Sequence, residues 1–355
     1  MLKAMEQAVI FGDDSSSRIS QLKDALFLGC SSNSSKTYFF AKTFLGCIGS
    51  IKCLLAKGFC LLCFESSIKF LLAVSAAAFA LATPAAAPAG PALWKVSDED
   101  TTIYLFGTVH VLPENVTWFD DRISGALAAS ESIVTELPPS AMTDPSAQQT
   151  IMAFAMLPPE KSLRAMLTDE QRTTYETALG KLQVPPQAFD RFEPWFAAMT
   201  LSMLPLMQNG YKVDSGVEKV LESKAGASIK RDAVETVEGQ MKLFDDLPLD
   251  AQAKFLTTTA ENVDKMVPTL DQMVKAWSEG DADRLAALMN ESMKDDPALA
   301  DRLLYARNRN WAQWIDDRLD QPGTVFMAVG AGHLAGKESV QDALATRGIQ
   351  SVRVQ

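Results

Sequence analysis

The chain of 355 residues has two histidines. Both stand three places after a glycine at the end of an apolar run: His110 in "LFGTVHVLP" (105–113) and His333 in "MAVGAGHLAG" (327–336). With glycine at about one residue in fourteen, this shared spacing arises by accident about once in two hundred times. Glycine lets a strand end turn tightly and present the histidine that follows. Two neutral imidazoles with one or two carboxylates form a usual ligand set for a catalytic divalent metal ion that keeps a position open for water. The carboxylates available are Glu136, closing the strand-like "SIVTEL" (132–137), and Glu235, closing "ASIKRDAVET" (227–236). Zinc, manganese and cobalt all suit such donors. Arg307 lies on the apolar stripe of a helix near 300–318 with Leu303, Leu304, Trp311, Trp314 and Ile315, while Arg309 points elsewhere. A guanidinium there needs a partner. It can brace Glu136 or Glu235, clamp a substrate carboxylate in bidentate fashion, or snorkel at the core edge.

These residues need elements that bring them together. "LWKVSDEDTTIYLFGTVH" reads as a β-hairpin turning at Ser97 to Asp100. A helix over 120–130 and the strand from 132 follow, a βαβ unit with parallel strands. Residues 140–320 carry helical periodicity, interrupted by a strand within 227–236. Their methionines (Met152, Met156, Met199, Met203 and Met207) read as core filling rather than a peptide groove. Strand 324–329, a helix over 337–347 stopped by Gly348, and strand "IQSVRV" close the chain as a second βαβ unit. The expected fold is therefore α/β: a central mixed, partly parallel sheet with flanking helices and a large helical middle insertion. Groups just beyond the carboxyl ends of parallel strands share one edge, where ligands bind. His110, Glu136, Glu235 and His333 should meet there.

The same stretches, with "TELPP", "AVETVEGQMKLFDDL", "YARNRNWAQWI" and the terminal "VFMAVGAGHLAGKESVQDALATRGIQSVRV", resemble the TraB/GumN family, related to the Tiki metalloproteases, over roughly residues 92–355. The resemblance implies a metal-dependent active centre carried by His110, His333 and Glu136. Where the family shows Gly-Leu-Glu-Thr, this chain has Ala233, Val234, Glu235 and Thr236, so Glu235 is a second carboxylate without the glycine. Asp214, in "GYKVDSGVEKVL", falls where family members carry an aspartate, and otherwise reads as a helix N-cap. Arg307 and Asn308 match a family Arg-Asn pair.

The N-terminal part is organised differently. Residues 69–82, "KFLLAVSAAAFALA", have the layout of a secretory signal, with cleavage after Ala82 favoured over Ala87, which Pro88 follows. An Ala/Pro linker covers 83–92, and a single domain covers 93–355. Residues 1–68 hold all five cysteines (Cys30, Cys47, Cys53, Cys60 and Cys63), in a spacing that matches no zinc or disulfide framework. They read as a misassigned translation start, or as a long leader with a second apolar segment around 44–64. After Ala82 come 25 basic and 39 acidic residues, a net charge of −14 that repels nucleic acid. No further membrane segment follows.

The expectation is a periplasmic or secreted metal-dependent hydrolase, most simply a peptidase, acting on a peptide or other small envelope substrate through a metal-activated water, with His110 and His333 as ligands and Glu136 as third ligand or base. A metal-free hydrolase using His110 as general base, held by Glu136 with Arg307 binding the developing anion, is the alternative mechanism. A non-catalytic accessory protein of envelope or polysaccharide export is the other alternative. "GAGHLAG" resembles a dinucleotide fingerprint, but only one strand follows it and Arg353 stands nearest the place where an acidic residue is required. No Gly-x-Ser-x-Gly elbow or HExxH helix is present.

Overall fold

A computed structural model describes residues 90–355, apart from 294 and 295. The signal-like segment, the cysteines and most of the linker lie outside the described residues. Six strands form one sheet: β1 (Leu93–Ser97), β2 (Thr101–Thr108), β3 (Ser132–Thr135), β4 (Lys230–Ala233), β5 (Gly323–Gly330) and β6 (Ser351–Arg353), in the order β4-β3-β5-β2-β1-β6. The helices used below are α1 (Asp121–Ala128), α2 (Val217–Lys224), α3 (Val237–Asp245), α4 (Met266–Ser278), α5 (Ala306–Leu319) and α6 (Val340–Ala345). The fold is α/β, with a sheet part parallel and part antiparallel.

The expected hairpin forms, with β1 antiparallel to β2 and Ser97 opposite Thr102. Both βαβ units keep their strand directions but not their neighbours. The first expected pair, β2 and β3, are each parallel to β5, which lies between them. β6 crosses past β2 and β1 to pair antiparallel with the outer edge of β1. The reason is in the side chains. Val325 to Val329 of β5 are all buried, as a strand covered on both faces requires, and such a strand takes the middle of a sheet. β4, reading Lys-Arg-Asp-Ala, is mostly exposed, and its charges suit an edge.

Alternation along β5 builds two cores. Phe326 and Ala328 pack with Phe106, Ile133 and, from α1 and α4, Ile123, Leu127 and Trp277. Val325, Met327 and Val329 pack on the other face with Trp311 and Ile315 of α5 and Leu344 of α6. Asp120 caps α1 by accepting from the amides of Arg122 and Ile123. The helical middle has its own core around Trp195, Phe196 and Leu201. Met152, Met156, Met199 and Met203 pack against that core, as expected, whereas Met207 is exposed.

Candidate functional site: an acid, imidazole and guanidinium cluster at the strand ends

In the parallel register Thr108 lies opposite Gly330, and Thr135 lies opposite both Ala328 and Ala233. The residues just past these positions are His110, His333, Glu136 and Glu235. Pairing continues for one more step, with the Glu235 amide donating to the Glu136 carbonyl at 2.9 Å. The shared glycine spacing has a spatial cause. A Cβ on Gly107 would stand 2.9 Å from Ala331 Cα, and one on Gly330 would stand 3.0 Å from Glu136 Oε1. Neither glycine is in the left-handed region, so close approach, rather than a special turn, selects them.

Arg307, in the first turn of α5, is the hub. Its Nε donates to Glu235 Oε1 at 2.6 Å, and its Nη2 donates to Glu235 Oε2 at 2.9 Å and Glu136 Oε2 at 2.7 Å. Its Nη1 donates to the Leu303 carbonyl and contacts His333 Nε2, each at 3.0 Å. A guanidinium has about five N–H donors, so every one is engaged. Arg307 therefore braces both glutamates, and no donor remains to clamp a substrate carboxylate or a developing anion. Its side chain is only 12% exposed, with Trp311 under the guanidinium at 4.8 Å.

The rest of the cluster is equally tied. Gln240 of α3 donates from Nε2 to Glu136 Oε2 at 3.2 Å and Glu235 Oε2 at 3.1 Å. The Gly330 amide donates to Glu136 Oε1 at 2.7 Å. Burial raises the Glu136 pKa, but the opposing Arg307 guanidinium, the two imidazoles and the Gly330 amide outweigh it and hold the carboxyl at about 2. His333 is buried, its Nδ1 2.6 Å from Asn308 Oδ1 and its ring 4.3 Å from the Trp311 ring. Burial pushes its pKa down to about 3, Glu136 acting against this and Arg307 with it.

His110 is held differently. The carboxylate at its side is Glu218 in the first turn of α2, with Oε1 2.6 Å from His110 Nδ1, and the same oxygen accepts from Thr108 Oγ1 at 2.6 Å. The Val217 amide donates to the Val109 carbonyl at 3.0 Å, seating α2 on this segment. The Glu218 charge raises the His110 pKa to about 9, burial opposing it; Glu136 and Arg307 also act on the ring, one upward and one downward. The imidazole is 55% exposed, so water screens part of these effects. It forms the accessible wall of the cluster.

The sequence-derived site residues thus occupy one strand-end edge, but Glu136 is not the residue that holds His110. Nor is Asp214 a cap: the N-cap of α2 is Gly216, and Asp214 is exposed two places earlier. Glu218 and Gln240 were invisible as site residues, because each sits on a helix whose sequence shows ordinary amphipathic spacing. "GAGHLAG" leads from β5 into a short helical turn, and Gly336 takes φ +74° where a Cβ would stand 2.8 Å from Ala286 Cβ. Its glycines therefore serve packing and a turn.

The expected divalent ion does not fit these donors as arranged. The Arg307 guanidinium contacts Glu136 Oε2, both Glu235 oxygens and His333 Nε2, and the Gly330 amide takes Glu136 Oε1, so an ion among them would meet a fixed positive charge about 3 Å away. Among the described residues, no three His, Cys, Asp or Glu side chains surround a common ion position.

Fold and site together define an α/β protein with an imidazole and carboxylate cluster, neutralised by arginine, at the carboxyl edge of a partly parallel sheet. The chain belongs to the TraB/PrgY/gumN family, whose model matches residues 92–353. It is similar to an uncharacterized protein of Treponema pallidum (strain Nichols), 23% identical over 292 residues, which cover 72% of this chain and 80% of that protein. No solved structure matches it.

Proposed function

We propose that the protein is an exported hydrolase, periplasmic or secreted, acting on a peptide or another small envelope substrate, with His110 as general base. The observation that carries this reading is the His110–Glu218 pair beside the cluster: a carboxylate holds Nδ1 of an imidazole that is 55% exposed. A carboxylate in that position fixes the tautomer and stabilises the imidazolium formed when Nε2 takes a proton from water, and the neutral ring that can act as base grows in as pH rises towards about 9. Glu136, kept in place by Arg307 and Gln240, favours that imidazolium by its charge. Arg307 is a positioning residue. No step is routed through a metal ion, because the donors that would hold one are occupied by the guanidinium.

The test is turnover by the domain from Thr83 to Gln355 on a panel of peptides and esters, with and without chelator. His110→Ala should abolish hydrolysis while leaving the circular dichroism spectrum unchanged. A fully active, folded variant rejects the mechanism, and an inactive wild type that still binds envelope peptides or polysaccharide makes the protein a binding accessory.

A further inference from the structure

We infer that Arg307 is the resident cation of this centre, and that Asn308 keeps it there by locking His333 as the Nδ1–H tautomer. The argument uses hydrogen-bond direction alone. Asn308 Nδ2 is 2.6 Å from the Glu338 carbonyl oxygen, which can only accept. The amide must therefore present its nitrogen to Glu338 and its oxygen to His333, which removes the usual amide-flip ambiguity. Facing that oxygen at 2.6 Å, His333 Nδ1 must carry the proton. Its Nε2 then holds a lone pair, and the group facing it at 3.0 Å is a guanidinium nitrogen that can only donate. A carbonyl at one end and a guanidinium at the other fix every direction between them.

The surroundings keep this chain rigid. Asn308 is 2% exposed and His333 4%, so water does not offer either an exchange partner. Glu338 adopts φ +56°, a left-handed conformation unusual for a residue with a side chain, and its amide is held by Asp342 Oδ2 at 2.9 Å. That local strain places the carbonyl over Asn308. On the other side, two carboxylates and one imidazole lone pair, from three separate strand ends, all converge on one guanidinium. These are donor types that a divalent cation takes, spread here around a side chain rather than around one ion position. Taking the guanidinium away leaves an acidic and imidazole pocket with no cation.

Two measurements test this, and neither involves turnover, so the hydrolase reading can fail without affecting it. Long-range ¹H–¹⁵N correlation spectra of the mature domain should show one ring, absent from the His110→Ala spectrum's losses and so assigned to His333, protonated at Nδ1 and bare at Nε2. Titration with Co²⁺, read by visible absorption, should give no specific site in the wild type, while Arg307→Met should bind the ion at least about tenfold more tightly. An Nε2–H tautomer overturns the inference, as does wild-type Co²⁺ binding that perturbs the His333 nitrogens. A folded Arg307→Met that takes no Co²⁺ overturns it too. Should that variant not fold, the tautomer and the wild-type titration decide the matter alone.

Discussion

Replacing Arg307 with Met should flatten the pH dependence of stability below pH 6.5. The substitution keeps most of the aliphatic stem on Trp311 and removes the guanidinium from two glutamates whose side chains are 12% and 14% exposed. In the wild type the Glu136 pKa falls from 4.5 to about 2. At about 1.4 kcal/mol per unit, that shift corresponds to about 3 kcal/mol, present above pH 4.5 and lost as pH falls through 2. His333, lowered from 6.5 to about 3, acts in the same direction: its stability is full above 6.5 and is lost as acid forces a proton onto a buried ring. The wild type should therefore weaken steadily on acidification from pH 6.5. Without Arg307, burial raises the Glu136 pKa instead. A raised carboxyl contributes stability below its unfolded pKa and loses it as pH rises through its folded pKa, so Glu136 then gains about 1.4 kcal/mol per pH unit on acidification towards 4.5, offsetting the loss at His333. At pH 7.5 the variant should be about 3–5 kcal/mol less stable, the range for breaking a buried pair. Urea denaturation of both proteins at several pH values between 4.5 and 7.5 measures this. Midpoints that move in parallel with pH would refute the assignment of Arg307 as the group that keeps the Glu136 carboxyl ionised.

Two other perturbations test the mouth and the frame of the cluster. Glu218→Gln removes the charge that raises the His110 pKa to about 9; the rising limb of kcat/KM against pH should move down towards 6.5, and an unmoved limb assigns the titration to another group. Gly107→Ala places a Cβ 2.9 Å from a backbone atom, Ala331 Cα; an overpacking cost of about 1–3 kcal/mol in thermal or urea melts is expected, with a displaced His333 segment, and a neutral variant contradicts the close-approach argument.

Much of the frame was legible because it is periodic. Residues 324–329 read as a buried strand from an unbroken apolar run, and α5 revealed both its buried stripe and the distinction between Arg307 and Arg309, which is more than half exposed. Strand order was not legible, since pairing is decided by which edges tolerate burial on both faces, a property of the assembled layers. At the site, His110, His333, Glu136 and Glu235 announced themselves by following strand ends. Their partners did not. Glu218 reaches His110 across 108 positions of sequence, and its own neighbourhood shows only an amphipathic turn. The glycine spacing was a true signal whose cause was misread: it reports how closely the chain passes two side-chain or backbone atoms, a quantity that no local conformational preference encodes. Exchanging Glu136 for Glu218 as the support of His110 follows from the same limit, because adjacency in a sheet does not fix which helix closes over its end.

The position of β5 has a consequence for how this protein comes into being. The strand that sits between β3 and β2 follows both of them, and β4, in the chain. Until it arrives, β2 and β3 present facing edges with no complement. A nascent chain stalled before Gly323 thus consists of two half-sheets with no centre, and it lacks His333 altogether. Acquisition of the site is therefore coupled to synthesis through residue 333.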